Sequence, residues 1–565
     1  MKKKIAYIII VVIIIAMYQG REQFARIEGK LGKEQGVTVS TKLWDEMIVS
    51  DTNRQGIRLL VNDTEISNSR IYMQGERQLF MVVTAMQEAF DCGVHLYNNS
   101  KLVLERYQTT VEFIKDAAYY YINGKEIPLS LPMVEIEEEY YLPLKEAACA
   151  LGYEYQWNVE ENKVKLWENK LQEQSLPQSY DLRKKGRVCE VKNQGSLSTC
   201  WAVAALTAVE SSLMPEEAYV LSPDHMNHKN SFSGIGSDGG EYAMAVAYLT
   251  AWQGPVLEEQ DVYGDDVSPD GLQPVKHVQE VRFPKAKDYD RIKEMIYKYG
   301  GVESSIYSAM SGSSYFSGYY NKKTNSYCYT GEAKPNHEIV IIGWDDTYSK
   351  ENFTTKVAGD GAFLCQNSWG EEFGDKGSFY VSYYDTNIGV YNVAYTKVES
   401  NKNYDRIYQS DLCGWVGHLG YDSEKAFFAN VYTTEEEEEI QAAGFYTLGE
   451  NTEYKVYLVK EFKDKYSLYN KKLVAEGKVQ DAGFYTVPFT KKETLPKGTT
   501  FAVMVEITTP GSSYPVAIEF PAGDTTSSVD ITDGEGYISY TGNSWENVEE
   551  KQGCNLCLKV YTNKK

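Results

Sequence analysis

Cysteine is scarce in this chain, with nine in 565 residues. That is too few for a fold stapled by disulfides, and the odd count leaves at least one thiol without an intrachain partner. Positive charge is also short: 57 Lys and Arg stand against 80 Asp and Glu, a formal net charge of -23. Nucleic-acid binding needs a basic footprint, so that class is excluded. Such a surface has no electrostatic pull toward anionic lipid either. Beyond Tyr18 no apolar run is long enough to span a bilayer. What the chain does have is an ordinary apolar fraction of 42%, which rules out wholesale disorder. At about 150 residues per domain, its length suggests roughly three to four domains.

Lys2, Lys3 and Lys4 precede an unbroken apolar run from Ile5 to Tyr18, and polar residues follow from Gln19. A basic start before such a run is the pattern of an export signal, and the run is shorter than the about 18 residues of a membrane helix. Tyr18 spoils the cleavage site that Gly20 would suggest, so an uncleaved membrane anchor is the second reading of residues 1–20. Either way the expectation is a secreted or cell-surface protein that touches membrane only through this segment. Residues 21–40 read as a polar spacer.

Residues 41–170 carry a weak internal repeat at an offset of about 60 residues. Val61-Asn62-Asp63-Thr64-Glu65-Ile66 returns as Ile122-Asn123-Gly124-Lys125-Glu126-Ile127, each an Asn-led turn between apolar residues. Short helical patterns follow, Met86 to Gly93 and Leu144 to Gly152, and strand-like runs close each unit at Leu102–Leu104 and Val164–Leu166. The stretch Tyr140-Tyr141-Leu142-Pro143-Leu144-Lys145-Glu146-Ala147-Ala148, with Leu151-Gly152 and Trp157, resembles the copper amine oxidase N-terminal-like domain. That resemblance implies an α+β binding or spacing module. It does not bring copper, because His95 is the only His in the segment.

Residues 404–565 alternate short Tyr-, Phe- and Val-rich runs with Gly, Asn and Pro turns, which predicts an all-β sandwich. Ala443-Gly444-Phe445-Tyr446-Thr447 recurs as Ala482-Gly483-Phe484-Tyr485-Thr486, suggesting corresponding strands. Phe428–Tyr432, Phe501–Val505 and Gly536–Ser539 resemble the lectin-like domain that follows secreted bacterial papain-like peptidases. The resemblance implies a carbohydrate or cell-wall ligand. Cys554-Asn555-Leu556-Cys557 is a lone CxxC, which reads as buried thiols or a local bridge rather than zinc. Glu435–Glu439 reads as a solvated loop, and His225 with His228 lacks a third ligand, so no metal or cofactor is expected.

The chemistry lies in residues 176–397. Gln194-Gly195-Ser196-Leu197-Ser198-Thr199-Cys200-Trp201-Ala202 is a small polar loop running into helix-favouring residues that Pro215 stops. Cys200 therefore stands in a first helical turn, where unpaired N–H groups favour a thiolate. His337 opens the apolar strand of Asn336-His337-Glu338-Ile339-Val340-Ile341-Ile342-Gly343-Trp344. Asn367 sits in Cys365-Gln366-Asn367-Ser368-Trp369-Gly370, a strand end and turn. Cys, then His, then Asn, in this order and spacing, resembles the papain family of cysteine peptidases. Leu176-Pro177-Gln178-Ser179-Tyr180-Asp181 at the start, Leu221-Ser222-Pro223, and the Gly239-Gly240 pair add to the likeness.

The resemblance implies a two-lobed catalytic domain, one lobe helical and one β-barrel-like, within an α+β multidomain chain. It implies that Cys200 attacks the scissile carbonyl to form a thioester acyl-enzyme, that His337 shuttles the proton, and that Asn367 orients the imidazole. The Gln194 side-chain amide and the Cys200 N–H would form the oxyanion hole, and Trp369 would cover the His–Asn hydrogen bond. Gly239, Gly240, Glu241, Tyr242, Asn336 and Trp369 would contact a protein or peptide substrate, with Glu241 and Tyr242 walling the S2 subsite. An acid there suggests basic side chains. Leu197 and Asp238 stand where most relatives have a bridged cysteine pair, and no helical inhibitory propeptide is evident. The rival readings are a different cysteine hydrolase, such as a murein endopeptidase, and a surface adhesin with a relic middle domain.

Overall fold

The computed structural model describes residues 57–168 and 175–565, except 63, 67–68, 75–77, 108, 130, 137–138, 159–160, 234–238, 266 and 311–314. The export segment and the spacer lie outside the described residues.

Each half of the repeat begins with a hairpin. Arg58–Val61 pairs with Thr64–Ile66, and Tyr119–Ile122 with Lys125–Pro128. Asn62 (φ 48°), Asn123 (φ 49°) and Gly124 (φ 78°) take the left-handed turn conformations that the Asn-led motifs supply cheaply. The halves then join. Gln78–Val82 pairs antiparallel with Glu139–Pro143, and the last strand, Lys163–Glu168, returns parallel to Arg58–Val61. Helices Met86–Phe90 and Leu144–Ala150 close a single core around Met81, Phe90, Leu142 and Leu166. The first helix ends at Asp91 (φ 47°), not at Gly93, which instead starts the strand Gly93–Tyr97.

The central segment is built on the helix Cys200–Leu213, buried on nearly every side. Its small residues, Ala202, Ala204, Ala205 and Ala208, let it lie close against the strands Val302–Ile306, His337–Asp345 and Asn392–Ser400. The only acid on this helix, Glu210, is fully buried and meets Lys192 Nζ at 2.6 and 2.8 Å, while Oε1 also accepts the Leu221 N–H. Removing one partner of a buried pair strands the other charge. Lys192→Met is expected to destabilise the fold by about 3–5 kcal/mol, read as a lowered denaturant midpoint; an unchanged midpoint would show that the pair carries no net stability.

The repeat module docks on the far end of this helix. Glu216 accepts the Leu96 N–H at 2.6 Å, Tyr297 donates to the Tyr107 carbonyl at 2.7 Å, Glu105 holds Tyr180 at 3.1 Å and Lys185 at 2.7 Å, and Lys298 pairs with Asp91. The buried His95 faces Glu216 here. Fourteen helical residues put this interface about 20 Å from Cys200, so the module leaves that end of the helix uncovered.

The segments from 176 to 565 share one sheet. Lys276–Phe283 pairs with Asn392–Ser400 on one side and with Ala482–Leu495 on the other, making a continuous thirteen-stranded sheet. The two Ala-Gly-Phe-Tyr-Thr segments are direct neighbours in it: Glu438–Thr447 and Ala482–Leu495 run antiparallel, with Phe445 opposite Tyr485. A six-stranded sheet packs over them, with Phe428, Phe445, Val456, Val503 and Leu558 in the core between. Glu435–Glu439 is not simply a solvated loop. Glu438 starts a strand, is fully buried, and accepts from Tyr408 at 2.9 Å and Thr562 at 2.6 Å. Cys554 and Cys557 are buried free thiols, and His225 is satisfied by the Tyr248 hydroxyl at 2.6 Å.

Candidate active site

The loop before Cys200 is held from three directions. Gly195 turns at φ 59°, with its N–H on Asn193 Oδ1 at 3.0 Å. The Gln194 N–H donates to the Ser368 carbonyl at 2.8 Å, and the Ser368 hydroxyl donates to Gln194 Oε1 at 2.5 Å. With its oxygen anchored, the Gln194 amide turns its NH₂ toward the Cys200 loop, one hydrogen reaching the Leu197 carbonyl at 2.7 Å. Tyr263 donates to the Gln194 carbonyl at 3.0 Å and lies 2.5 Å from the Thr199 hydroxyl. Thr199 therefore does not cap the helix with its side chain, and the first-turn N–H groups stay available beside Cys200.

Gly239 and Gly240 run along this loop where no side chain fits. Gly239 has φ 81°, and a Cβ on Gly240 would lie 2.6 Å from the Trp201 indole. Trp201 is fully buried and cannot step aside. Gly240→Ala is expected to cost about 1–3 kcal/mol through overpacking, and to shift the Cys200 turn enough to lower turnover. Intact stability and kinetics would refute the contact.

His337 is the first residue of its strand, which packs against the Cys200–Leu213 helix. Its Nε2 faces Asn367 Oδ1 at 2.7 Å, and the same oxygen accepts the Ser368 N–H at 2.8 Å. Trp369, half-buried, stacks on the imidazole at 4.9 Å, with Tyr315 stacked on its own ring at 5.3 Å. Burial pushes His337 below its usual value, against the Asn367 hydrogen bond and the charge of Glu338, which raise it. Burial also raises the Cys200 thiol, and the backbone N–H groups of Glu338 and Trp201 pull it back. Desolvation thus opposes the thiolate that the helix start favours.

The Asn336 side chain is engaged by the Ser308 backbone. Its Oδ1 accepts the Ser308 N–H at 2.6 Å and its Nδ2 donates to the Ser308 carbonyl at 3.2 Å, so the side chain clamps a neighbouring loop. Glu241 is exposed before the helix Tyr242–Thr250, and the half-buried Tyr242 stacks on Tyr391 at 5.7 Å. Four residues that the motifs did not single out for the site belong to it: Ser368 and Tyr263, which brace the loop, and Glu338 and Glu303, buried acids on neighbouring strands. Glu338 is an acid in a mostly apolar strand, whereas Glu303 shares its strand with Ser304 and Ser305, and pattern alone assigns such residues to an outer face.

Comparison with known proteins places these features. Residues 176–398 match the papain family of cysteine proteases, residues 407–562 the lectin-like domain and residues 60–167 the copper amine oxidase N-terminal domain. Mouse cathepsin K is 26% identical over 215 residues, covering 36% of this chain and 58% of the relative. A cysteine protease of Blomia tropicalis is 29% identical over 232 residues, covering 39% and 65%. The chain thus spans roughly 58–65% of the length of these curated relatives. The structure of the cysteine protease and lectin-like domains of Cwp84, a surface layer associated protein of Clostridium difficile, superposes with a TM-score of 0.59 at 28% identity, over 69% of this chain and 89% of that one. The same protease after propeptide cleavage gives a TM-score of 0.61, also at 28% identity, over 68% and 99%. Residues 176–398 of this chain are a papain-family cysteine peptidase domain, preceded by a copper amine oxidase N-terminal-type domain and followed by a lectin-like domain.

Proposed function

We propose that the chain is a cysteine endopeptidase, and the observation that carries this is the His337–Asn367 hydrogen bond, on a strand packed against the helix that Cys200 starts. Cys200 gives its proton to His337 and attacks the scissile carbonyl, forming a thioester; His337 returns a proton to the leaving amine, and water completes the hydrolysis. Desolvation opposes the charged pair, and the helix-start N–H groups with the Asn367 oxygen offset that cost. The Gln194 NH₂ and the Cys200 N–H receive the oxyanion. Trp369 shields the His–Asn hydrogen bond, and Gly239, Gly240, Glu241 and Tyr242 line the substrate's path.

Residues 1–20 direct export or anchor the chain, which acts outside the cytoplasm or at the cell surface. The repeat module (41–170) and the β-sandwich (404–565) bracket the peptidase domain (176–397). The sandwich takes a carbohydrate or cell-wall ligand, with the exposed Tyr421 and Tyr540, 5.7 Å apart, as stacking faces. The test of the peptidase reading is labelling by an epoxide selective for thiolate nucleophiles, together with cleavage of a peptide library. Modification of Cys200 with cleavage supports it; neither occurring on the full chain overturns it.

A further inference from the structure

Six lysines and arginines are buried among the described residues: Arg106, Arg187, Lys276, Lys293, Lys298 and Lys559. Five of them meet a carboxylate. Arg106 has Glu168, Lys276 has Glu217, Lys293 has Asp346, Lys298 has Asp91 and Lys559 has Asp411. Arg187, 1% exposed, is the exception. Its Nε donates to the Met214 carbonyl at 3.0 Å and its Nη1 to the Tyr297 carbonyl at 3.3 Å, and no acid among the described residues comes within ion-pair distance. Main-chain carbonyls carry only partial negative charge, so the guanidinium is left without a counter-charge.

This cation lines a cavity of about 430 Å³ between the repeat module and the peptidase domain, within the about 300–1,000 Å³ of small-molecule sites. Val94, Leu96 and Leu102 line it from the module, and Leu213 and Val398 from the other side. His95, 3% exposed, is on the wall too, and its Nε2 is buried with no hydrogen-bond partner. Its Nδ1 stands 3.6 Å from Glu216 Oε1, beyond hydrogen-bond length, so the ring is free to carry its proton on Nε2. Burial, and then the Arg187 charge, pushes His95 below its usual value, which makes Arg187 the cation of the two at neutral pH. The acids on the same wall are already held: Glu139 by Arg70, Glu217 by Lys276, Glu399 by Lys397 and Glu216 by the Leu96 N–H.

We propose that this cavity binds a small monocarboxylate with an apolar body, its carboxylate on Arg187 and His95 and its body along Val94, Leu96 and Leu213. A carboxylate supplies the counter-charge that Arg187 lacks, through charge-assisted hydrogen bonds, and accepts from His95 Nε2. The body is taken out of water by the apolar wall. Because the wall comes from both domains, the ligand ties the module to the peptidase domain. The cavity lies at the Leu213 end of the Cys200–Leu213 helix, so the inference does not depend on the peptidase reading.

The test is calorimetric titration of the full chain with octanoate and with indole-3-propionate. Octanol, which has the body without the charge, and octylamine, which reverses the charge, are the controls. At least one carboxylate is expected to bind about tenfold or more tighter than either control, and to raise the thermal midpoint of the chain. Arg187→Met should abolish that preference. Val398→Phe narrows the cavity and keeps Arg187 and His95; it should weaken carboxylate binding about tenfold or more, and decides the matter if Arg187→Met fails to fold. Binding of neither carboxylate, or no preference over octanol and octylamine, overturns the proposal. So does a preference that survives in folded Arg187→Met, or an affinity unchanged in Val398→Phe.

Discussion

A chain carrying Cys200→Ala is expected to lose on the order of 10⁶ in kcat, and His337→Ala a similar factor. The reason is that the two side chains act as one device. The thiol is raised by burial and the imidazole lowered, so neither is ionised to advantage without the other. The double variant should therefore be scarcely worse than either single one, since removing one partner already disables the pair. The measurement is single-turnover cleavage of a peptide found by library screening, with binding followed separately. Multiplicative losses in the double variant would show that Cys200 and His337 work independently, and would remove the mechanism proposed for them. Epoxide labelling gives a second readout: Cys200 should be modified in the parent chain and far more slowly in His337→Ala.

Gln194→Ala is expected to lower kcat by a factor of about 10²–10³, or about 2.7–4 kcal/mol, with little change in KM. Charge on the carbonyl oxygen develops only in the transition state, so a donor placed for it contributes little to ground-state binding. Geometry supports this role, because the Ser368 hydroxyl holds Oε1 and leaves the NH₂ facing the Cys200 loop. The alternative is that Gln194 merely braces this loop through its Leu197 contact. In that case the variant would lose stability and binding together, and kcat measured at saturation would recover.

The residues proposed as nucleophile, base and orienting amide were legible because each rests on short-range chemistry. A small polar loop before a helix marks Cys200, and an apolar strand opened by polar residues marks His337. Asn367 follows a strand directly and begins the turn that carries Trp369. The Asn-led hairpins of the repeat were legible for the same reason, since positive φ at Asn62 and Asn123 is a local demand. The desolvation that opposes the Cys200 thiolate was not legible, because burial of the thiol depends on elements distant in sequence. The two Asn336–Ser308 bonds were not legible, because they join residues 28 apart that no pattern connects.

The sequence by itself thus determined the domain types and the order of Cys200, His337 and Asn367 along the chain. Only tertiary structure decided that Lys276–Phe283 fuses the peptidase and lectin-like domains through one sheet, and that the repeated Ala-Gly-Phe-Tyr-Thr segments are partners within it. It also decided that Glu303 and Glu338 are buried on one face of two paired strands. The physical reason is common to all three. Strand alternation says which side chains share a face, but not which element covers that face, and burial, pairing and charge balance follow from the cover.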